Sequence, residues 1–391
     1  MPSFEQALEI VLNSAKVMPS ETVALEEALG RVLREDVKAD CDMPPFDRST
    51  KDGFACRRQD LARELEVIET IRAGFSPRKR IGPKQCAKIM TGAVVPAGAD
   101  CVIMQEQTEP VGDGEIRFVG DHSPDNICRR GRDRKAGDII LKSGTVIKPS
   151  HIALLALAGC VMPVVSKRPR VGVIATGDEL VDPSQVPGAA QIRNTNAFQL
   201  AAQVRSVGSS VTNYGIARDA AEDISRILCK ALGENDVALT AGGVCVGEFD
   251  LVRKVMKGNG VELVFEKVGV KPGRPMAFGI RRQAFCFALP GNPVSAFVMF
   301  ELMVRPFLYK MMAHTYRPAT SRARLQGAII REKGDGDTWV PVVFAEPATV
   351  AEVGYQGPQD INALCAADGL VCLPAGITEL QGGADVIVRH I

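Results

Sequence analysis

The chain has 391 residues, a formal net charge of +1, and 46% hydrophobic and 24% charged residues. That balance suits a soluble globular protein of roughly two to four domains and gives no electrostatic case for nucleic acid or a membrane surface as partner. Eleven scattered cysteines without a Cys-x-x-Cys pair argue against a zinc site and a disulfide framework, and for a reducing cytoplasm. The start, Met-Pro-Ser-Phe-Glu-Gln, lacks the basic-then-apolar pattern of a signal peptide. The apolar stretch 151–165 is short and broken by Gly159 and Pro163, so it does not read as a membrane span.

Ser3 and Gln6 have the spacing of a capping box, and Ala7, Leu8, Val11 and Leu12 follow at helical period. Residues 23–37 repeat that period through Leu25, Ala28, Leu29, Val32 and Leu33, which predicts a second helix. Met43-Pro44-Pro45-Phe46 ends it and marks a domain boundary. Residues 46–136 carry short β-like runs at 67–71, 87–90, 101–104 and 116–119 between turn signals, as in a small β-rich domain. Residues 137–167 hold a strand or two and an apolar helix over 151–158.

From Arg168 strand and helix alternate: strands at 171–175, 209–214, 237–239 and 285–289, helices at 196–207, 220–232 and from 293 to 309. This predicts a parallel α/β domain over 168–317. Beyond it the short β runs 323–330, 338–344, 369–374 and 384–391 read as a second small β domain over 318–391.

The most informative stretch is 236–250. Val237, Ala238 and Leu239 make a buried strand, and Thr240-Ala241-Gly242-Gly243 follows at once. Paired glycines at the carboxyl end of such a strand let the backbone turn sharply and approach a ligand, where open α/β sheets bind theirs. Exposed N–H groups there cradle anions, and Glu248 and Asp250 place carboxylates alongside. An ordinary β-to-α loop satisfies the same pattern. Pro290-Gly291-Asn292-Pro293-Val294-Ser295-Ala296 is a turn opening a helix, whose free N–H groups favour an anion. Strand alternation would send Lys267 and Lys271 to one face, with Arg274 adding a bidentate fork; a solvated charged face is the plainer alternative. The cluster Arg129-Arg130-Gly131-Arg132-Asp133-Arg134-Lys135 is equally compatible with a solvated loop. The four histidines show no ligand spacing.

Several separated motifs occur in a fixed order: Pro44-Pro45-Phe46-Asp47-Arg48-Ser49 with Asp52-Gly53-Phe54-Ala55; Met90-Thr91-Gly92-Ala93 with Met104-Gln105-Glu106; Thr176-Gly177-Asp178-Glu179-Leu180; Gly242-Gly243-Val244 with Val246-Gly247; Lys271-Pro272-Gly273-Arg274-Pro275; and Leu289-Pro290-Gly291-Asn292-Pro293-Val294-Ser295. Over residues 4–310 this set resembles the molybdopterin molybdenumtransferase family, which includes the C-terminal domain of gephyrin. The resemblance implies insertion of molybdate into adenylylated molybdopterin with Mg²⁺ and release of AMP. It implies an elongated, multidomain α/β plus β protein. Segments 1–45 and 137–167 form one unit split around an inserted β-rich domain (46–136), followed by a three-layer α/β molybdopterin-binding domain (168–317) and a C-terminal β-barrel (318–391). It further implies a homodimer whose cleft joins the α/β domain of one subunit to the inserted domain of the other, with contact to a molybdopterin adenylyltransferase as a further partner.

Carried onto this sequence, the family motifs assign catalysis to Asp52, Thr91, Asp133, Glu179, Asp250, Lys267 and Lys271, and Mg²⁺ to Glu179, Asp219 and Asp250. They assign pterin binding to Thr176, Gly177, Asp178, Gly242, Gly243, Val244, Cys245, Gly247, Arg274, Pro290, Gly291, Asn292, Pro293 and Ser295. Glu179 and Asp219 could instead cap helices. Lys51 stands where the family has Met and would pair with Asp52, lowering its pKa; Cys245 stands for Ser; Pro341 and Pro358 lie where an Arg and a Ser are expected. These departures keep open a pterin-binding carrier without activity. The sister adenylyltransferase activity fits less well, because it belongs to lone α/β domains.

Overall fold

The computed structural model of the protein describes residues 1–243, 251–332, 334–354 and 357–391. It opens on helix Phe4–Ser14, closed by the capping box. Ser3 Oγ accepts the Gln6 N–H at 3.3 Å, and Gln6 Oε1 accepts the Ser3 N–H at 3.0 Å. Ala7 and Val11 are fully buried in the same core as Met299 and Val304 of the α/β part.

The predicted helix over 23–37 is not formed. A single 3-10 turn, Leu25–Glu27, is followed by Gly30 at φ +75° and the strand Val37–Lys38. Val32 bridges Val146, Leu33 bridges Val165, and Val37–Lys38 pairs with Ile139–Leu141. Ser20–Thr22 likewise pairs with Val164–Ser166. Backbone pairing across more than a hundred residues of chain outweighs the local helical period there.

Between these partners lies a six-stranded sheet in the order Cys101–Met104, Gly53–Cys56, Gln85–Ile89, Glu64–Ile71, Glu115–Phe118, Thr108–Pro110. Asp52 immediately precedes strand Gly53–Cys56, and Thr91 follows the neighbouring strand Gln85–Ile89 closely.

The α/β sheet has six strands in the order Ser210–Ala217, Arg170–Thr176, Val237–Ala241, Ala284–Leu289, Ala277–Arg281, Glu262–Phe265. The first four are parallel, while Ala277–Arg281 runs against both neighbours. The sheet is therefore mixed, not purely parallel as the sequence suggests. The hairpin closes at Arg282 with φ +56°, without the Asn-Gly or Gly-Gly pair that normally announces such a turn. Successive side chains of Arg170–Thr176 feed two cores: Val171, Val173 and Ala175 enter one, Ile174 the other. Burial on both faces explains the unbroken apolar run. The final helical stretch is Pro293–Met299, a π-segment Phe300–Val304, and Arg305–Met311. Pro306, which has no N–H to donate, falls just after the π-segment.

Asp337–Glu346, Thr349–Glu352, Thr320–Leu325, Asp385–His390 and Gly369–Leu373 form a closed barrel, since Gly369–Leu373 pairs back onto Asp337–Glu346. Val270–Lys271 adds to it as a parallel strand beside Asp337 and Thr338. Among the described residues no helix is long and apolar enough to cross a membrane.

Candidate functional site

Three parallel strands, Arg170–Thr176, Val237–Ala241 and Ala284–Leu289, end at one cleft of about 1150 Å³. Their carboxyl ends supply Thr176-Gly177-Asp178-Glu179, Gly242-Gly243 and Pro290-Gly291-Asn292-Pro293 to its lining. This is the crevice where open α/β sheets take ligands. The turns pack too tightly for side chains. Gly242 has φ +106°, and a Cβ there would lie 2.5 Å from the Thr176 carbonyl oxygen. On Gly243, at φ +64°, a Cβ would lie 2.6 Å from Val252 Cγ2. Thr176 Oγ1 is buried beside these glycines without a hydrogen-bond partner among the described residues.

Asp178 and Asp219 bind each other through their main chains. The Asp178 N–H donates to Asp219 Oδ2 at 3.3 Å, and the Asp219 N–H to Asp178 Oδ1 at 3.2 Å. Arg218 Nη1 braces the same turn by donating to the Asp178 carbonyl at 3.1 Å. Helix Ala221–Glu234 begins at Ala220 without a side-chain cap, so the capping alternative for Asp219 does not hold. Glu179 is followed by strand Leu180–Val181 and has no helix to cap. Its carboxylate folds back over Gly177 and takes no hydrogen bond or ion pair from the described residues.

A further part of the lining is not expected from the sequence. Gln191, Ile192, Arg193, Asn194, Thr195 and Asn196 line the cleft. Asn194 Oδ1 accepts the Ala197 N–H at 3.1 Å and so fixes the start of helix Asn196–Ser206. Asn196 Nδ2 donates to the Gly291 carbonyl at 2.6 Å, while its Oδ1 is buried without a partner among the described residues. Asn-Thr-Asn ahead of a helical period is the signal that could have found this part of the lining. Gln359 and Ile361, from the C-terminal part, also line the cleft. The neighbouring Pro358 carbonyl accepts the Val294 N–H at 3.1 Å. The helix opening at Pro293 therefore does not offer all its first N–H groups to an anion, as the sequence suggests. Ser295 is buried at 3% exposure and does not line the cleft.

Lys267, Lys271 and Arg274 do not line it either. Lys271 belongs to the two-residue strand Val270–Lys271, and Lys267 lies beyond strand Glu262–Phe265, so no continuous strand sets the two on one face. Lys271 Nζ instead pairs with Asp335, and Arg274 Nη2 sits 2.7 Å from Asp335 Oδ2. Hydrogen bonds from Lys271 and then Arg274 pull the Asp335 carboxyl down to about 2.

Asp52, Thr91 and Asp133 lie outside the cleft of their own chain. Asp52 Oδ1 accepts the Thr91 N–H at 2.6 Å and the Thr91 hydroxyl at 2.8 Å. These two donors hold Asp52 below the usual carboxylate range; the expected Lys51 plays no part. Asp133 is exposed, with its N–H donated to the Met43 carbonyl at 2.9 Å. The basic run is braced by acids: Arg129 by Asp47 at 2.9 Å and Arg130 by Asp42 at 2.6 Å.

Val244, Cys245, Gly247 and Asp250 lie outside the described residues. Among the described residues no group of three His, Cys, Asp or Glu gathers around one point. The cleft lining carries Asp178, Glu179 and Asp219 and, among the described residues, neither His nor Cys. That oxygen-only set fits a hard cation such as Mg²⁺, which takes one or two carboxylates and completes its shell with phosphate and water.

The family model of the MoeA N-terminal region (domain I and II) matches residues 2–159, and that of a probable molybdopterin binding domain matches residues 172–310. Over 99% of its length the chain is 33% identical to a Staphylococcus aureus protein named molybdopterin molybdenumtransferase, of which it covers 95%. A Staphylococcus epidermidis protein of the same name is also 33% identical, with 96% covered. The crystal structure of a molybdopterin biosynthesis moeA protein from Pyrococcus horikoshii OT3 matches with a TM-score of 0.87 at 30% identity, covering 100% of both chains. With both family segments in order and relatives alike from end to end, the chain belongs to the molybdopterin molybdenumtransferase family and is a transferase.

Proposed function

We propose that this transferase inserts molybdate into adenylylated molybdopterin and releases AMP, as the last step in building the molybdenum cofactor. The observation that carries the reading is the joining of the Asp178–Asp219 clasp, Glu179 and the Gly242-Gly243 turn in one cleft. The glycine turn leaves main chain facing the cleft, where a pterin phosphate can approach without meeting a Cβ. The buried acceptors Thr176 Oγ1 and Asn196 Oδ1 suit ligand N–H groups.

Glu179, Asp219 and Asp250 would hold Mg²⁺ together with substrate phosphate oxygens. Bound there, Mg²⁺ would neutralise the pyrophosphate link and the charge developing on the AMP that leaves. Arg218 keeps the Asp178 turn in place, so that two carboxylates face the ligand in a fixed geometry. The chain acts as a homodimer in this reading, with Asp52, Thr91 and Asp133 supplied by the partner and Lys267, Lys271 and Arg274 drawing the oxyanions in.

The test is turnover. Purified protein given adenylylated molybdopterin, molybdate and Mg²⁺ should release AMP and yield cofactor that activates an apo-molybdoenzyme. Tight pterin binding with no AMP, with all three present, would overturn the proposal.

A further inference from the structure

The segment Lys271-Pro272-Gly273-Arg274-Pro275 aims two cations at one carboxylate. Lys271 Nζ and Arg274 Nη2 both reach Asp335, which also accepts Arg274 Nη2 through its main-chain carbonyl at 2.9 Å. The Arg274 Nε is buried with no acceptor among the described residues, so the guanidinium keeps a further donor beside the pair. Pro275, the next residue, lines the cleft.

The position of Asp335 is built rather than accidental. On one side the Asp337 N–H donates to the Gly269 carbonyl at 2.9 Å, and a Cβ on Gly336 would come within 2.7 Å of the same oxygen. On the other side the Gly376 N–H donates to the Gly334 carbonyl at 2.7 Å. The loop is thus anchored at both ends, while the Asp335 side chain keeps 46% of its surface exposed. Two converging cations around one oxygen acid group form the arrangement that receives a small oxyanion.

We propose that Asp335 is an internal stand-in for the oxyanion substrate: it holds Lys271 and Arg274 in a receptive pose and must be displaced before an oxyanion binds them. Asp335 is then a positioning residue that sets how tightly this site takes oxyanions. The inference rests on reading Lys271 as part of the oxyanion-drawing set.

Binding of molybdate and of sulfate to the full-length protein, without pterin, tests both layers by titration calorimetry. Asp335→Asn should tighten both oxyanions roughly tenfold, because two partly exposed ion pairs no longer compete. Asp335→Ser should do the same, which guards against a folding defect in one variant. Adding Lys271→Ala to Asp335→Asn should erase the gain. If both Asp335 variants bind no more tightly while Lys271→Ala alone weakens binding, the stand-in role is overturned and the reading of Lys271 survives. If neither kind of substitution changes binding, both fall. A merely structural Asp335 would lower affinity on replacement, not raise it.

Discussion

Asp178 and Asp219, forty-one residues apart in sequence, each accept the other's main-chain N–H, at 3.3 and 3.2 Å. The pair ties the end of strand Arg170–Thr176 to the end of Ser210–Ala217, so two carboxylates face the cleft from adjacent strands. Asp219→Asn keeps an oxygen to accept the Asp178 N–H but removes the charge. It should fold like the parent, with unchanged circular dichroism and melting, and lose roughly a hundredfold in the rate of AMP release. Asp219→Ala also frees the Asp178 N–H, and should add weaker pterin binding to the same loss. A rate for Asp219→Asn within a factor of two of the parent would remove Asp219 from the chemistry.

The Gly242 turn makes a steric prediction. At φ +106°, with the Thr176 carbonyl 2.5 Å from where a Cβ would sit, Gly242→Ala meets both backbone strain and a main-chain clash. It should cost about 1–3 kcal/mol in urea unfolding and push Thr176 out of the cleft floor. Gly233→Ala is the control, since a Cβ there meets nothing within 4 Å; it lies within helix Ala221–Glu234 and should be neutral or stabilising by up to about 1 kcal/mol.

How legible was this in the sequence? The capping box at Ser3 and Gln6 is local chemistry, and the helix formed where it says. The apolar runs leading to Thr176, Ala241 and Leu289 are buried on both faces, so composition alone marks them as central strands. The glycine and acidic turns that follow them do meet in one cleft. What stayed hidden is non-local. Val32 and Leu33 look helical until Val146 and Val165 bond to them. Ala277–Arg281 is a reversed strand whose hairpin turns at an arginine. Nothing near Lys271 in sequence announces Asp335, and nothing near Val294 announces the Pro358 carbonyl. In sequence Asn196 is only the first residue of the helical period 196–207, and nothing beside it announces that its amide reaches the Gly291 carbonyl.

The Asp52–Thr91 pair gives a pH prediction. Two hydrogen bonds from Thr91 favour the ionised carboxylate and lower its pKa below the ordinary 3.8. With the folded pKa depressed, the contribution to stability is full above pH 3.8 and fades as pH falls through the folded value. Thr91→Val keeps the main-chain donor and deletes the hydroxyl, so the Asp52 pKa should rise. If ionised Asp52 is required for turnover, the acid limb of the AMP-release profile should move to higher pH in Thr91→Val, with the alkaline limb in place. A carboxylate titration followed by NMR should shift in the same direction.

Outside the cleft lining, Glu301 tests the frame that supports it. It is 4% exposed, and it accepts Arg305 Nε at 2.5 Å and Nη2 at 2.9 Å, and Gln203 Nε2 at 2.7 Å. Its main-chain carbonyl takes Arg389 from the barrel at 2.6 Å. Glu301→Ala leaves the half-buried Arg305 guanidinium with Ser206 Oγ at 3.1 Å but without its carboxylate, and should cost about 1–3 kcal/mol. Melting should fall steeply, whereas turnover per folded molecule below the transition should not change. A loss of specific activity at full folding would mean that the π-segment transmits strain to the cleft.

The proposal that two chains share one site makes the strongest demand. Asp52 and Thr91 sit on the inserted sheet, and neither lines the cleft that holds Asp178, Glu179 and Asp219. If two subunits complete one site, Asp52→Ala and Asp219→Ala damage opposite halves of it. Each variant alone should be inactive. Mixed after gentle dissociation, they should form heterodimers carrying one site with both defects and one intact site. At equal amounts about half the dimers are mixed and each has one good site of two, so activity should recover to about a quarter of the parent on the reading that oligomers here are closed twofold pairs. Recovery should follow the mixing ratio and vanish when the subunits are cross-linked before mixing. No recovery, with heterodimers verified by native mass spectrometry, would place all the chemistry within one chain and leave Asp52 and Thr91 a structural task only.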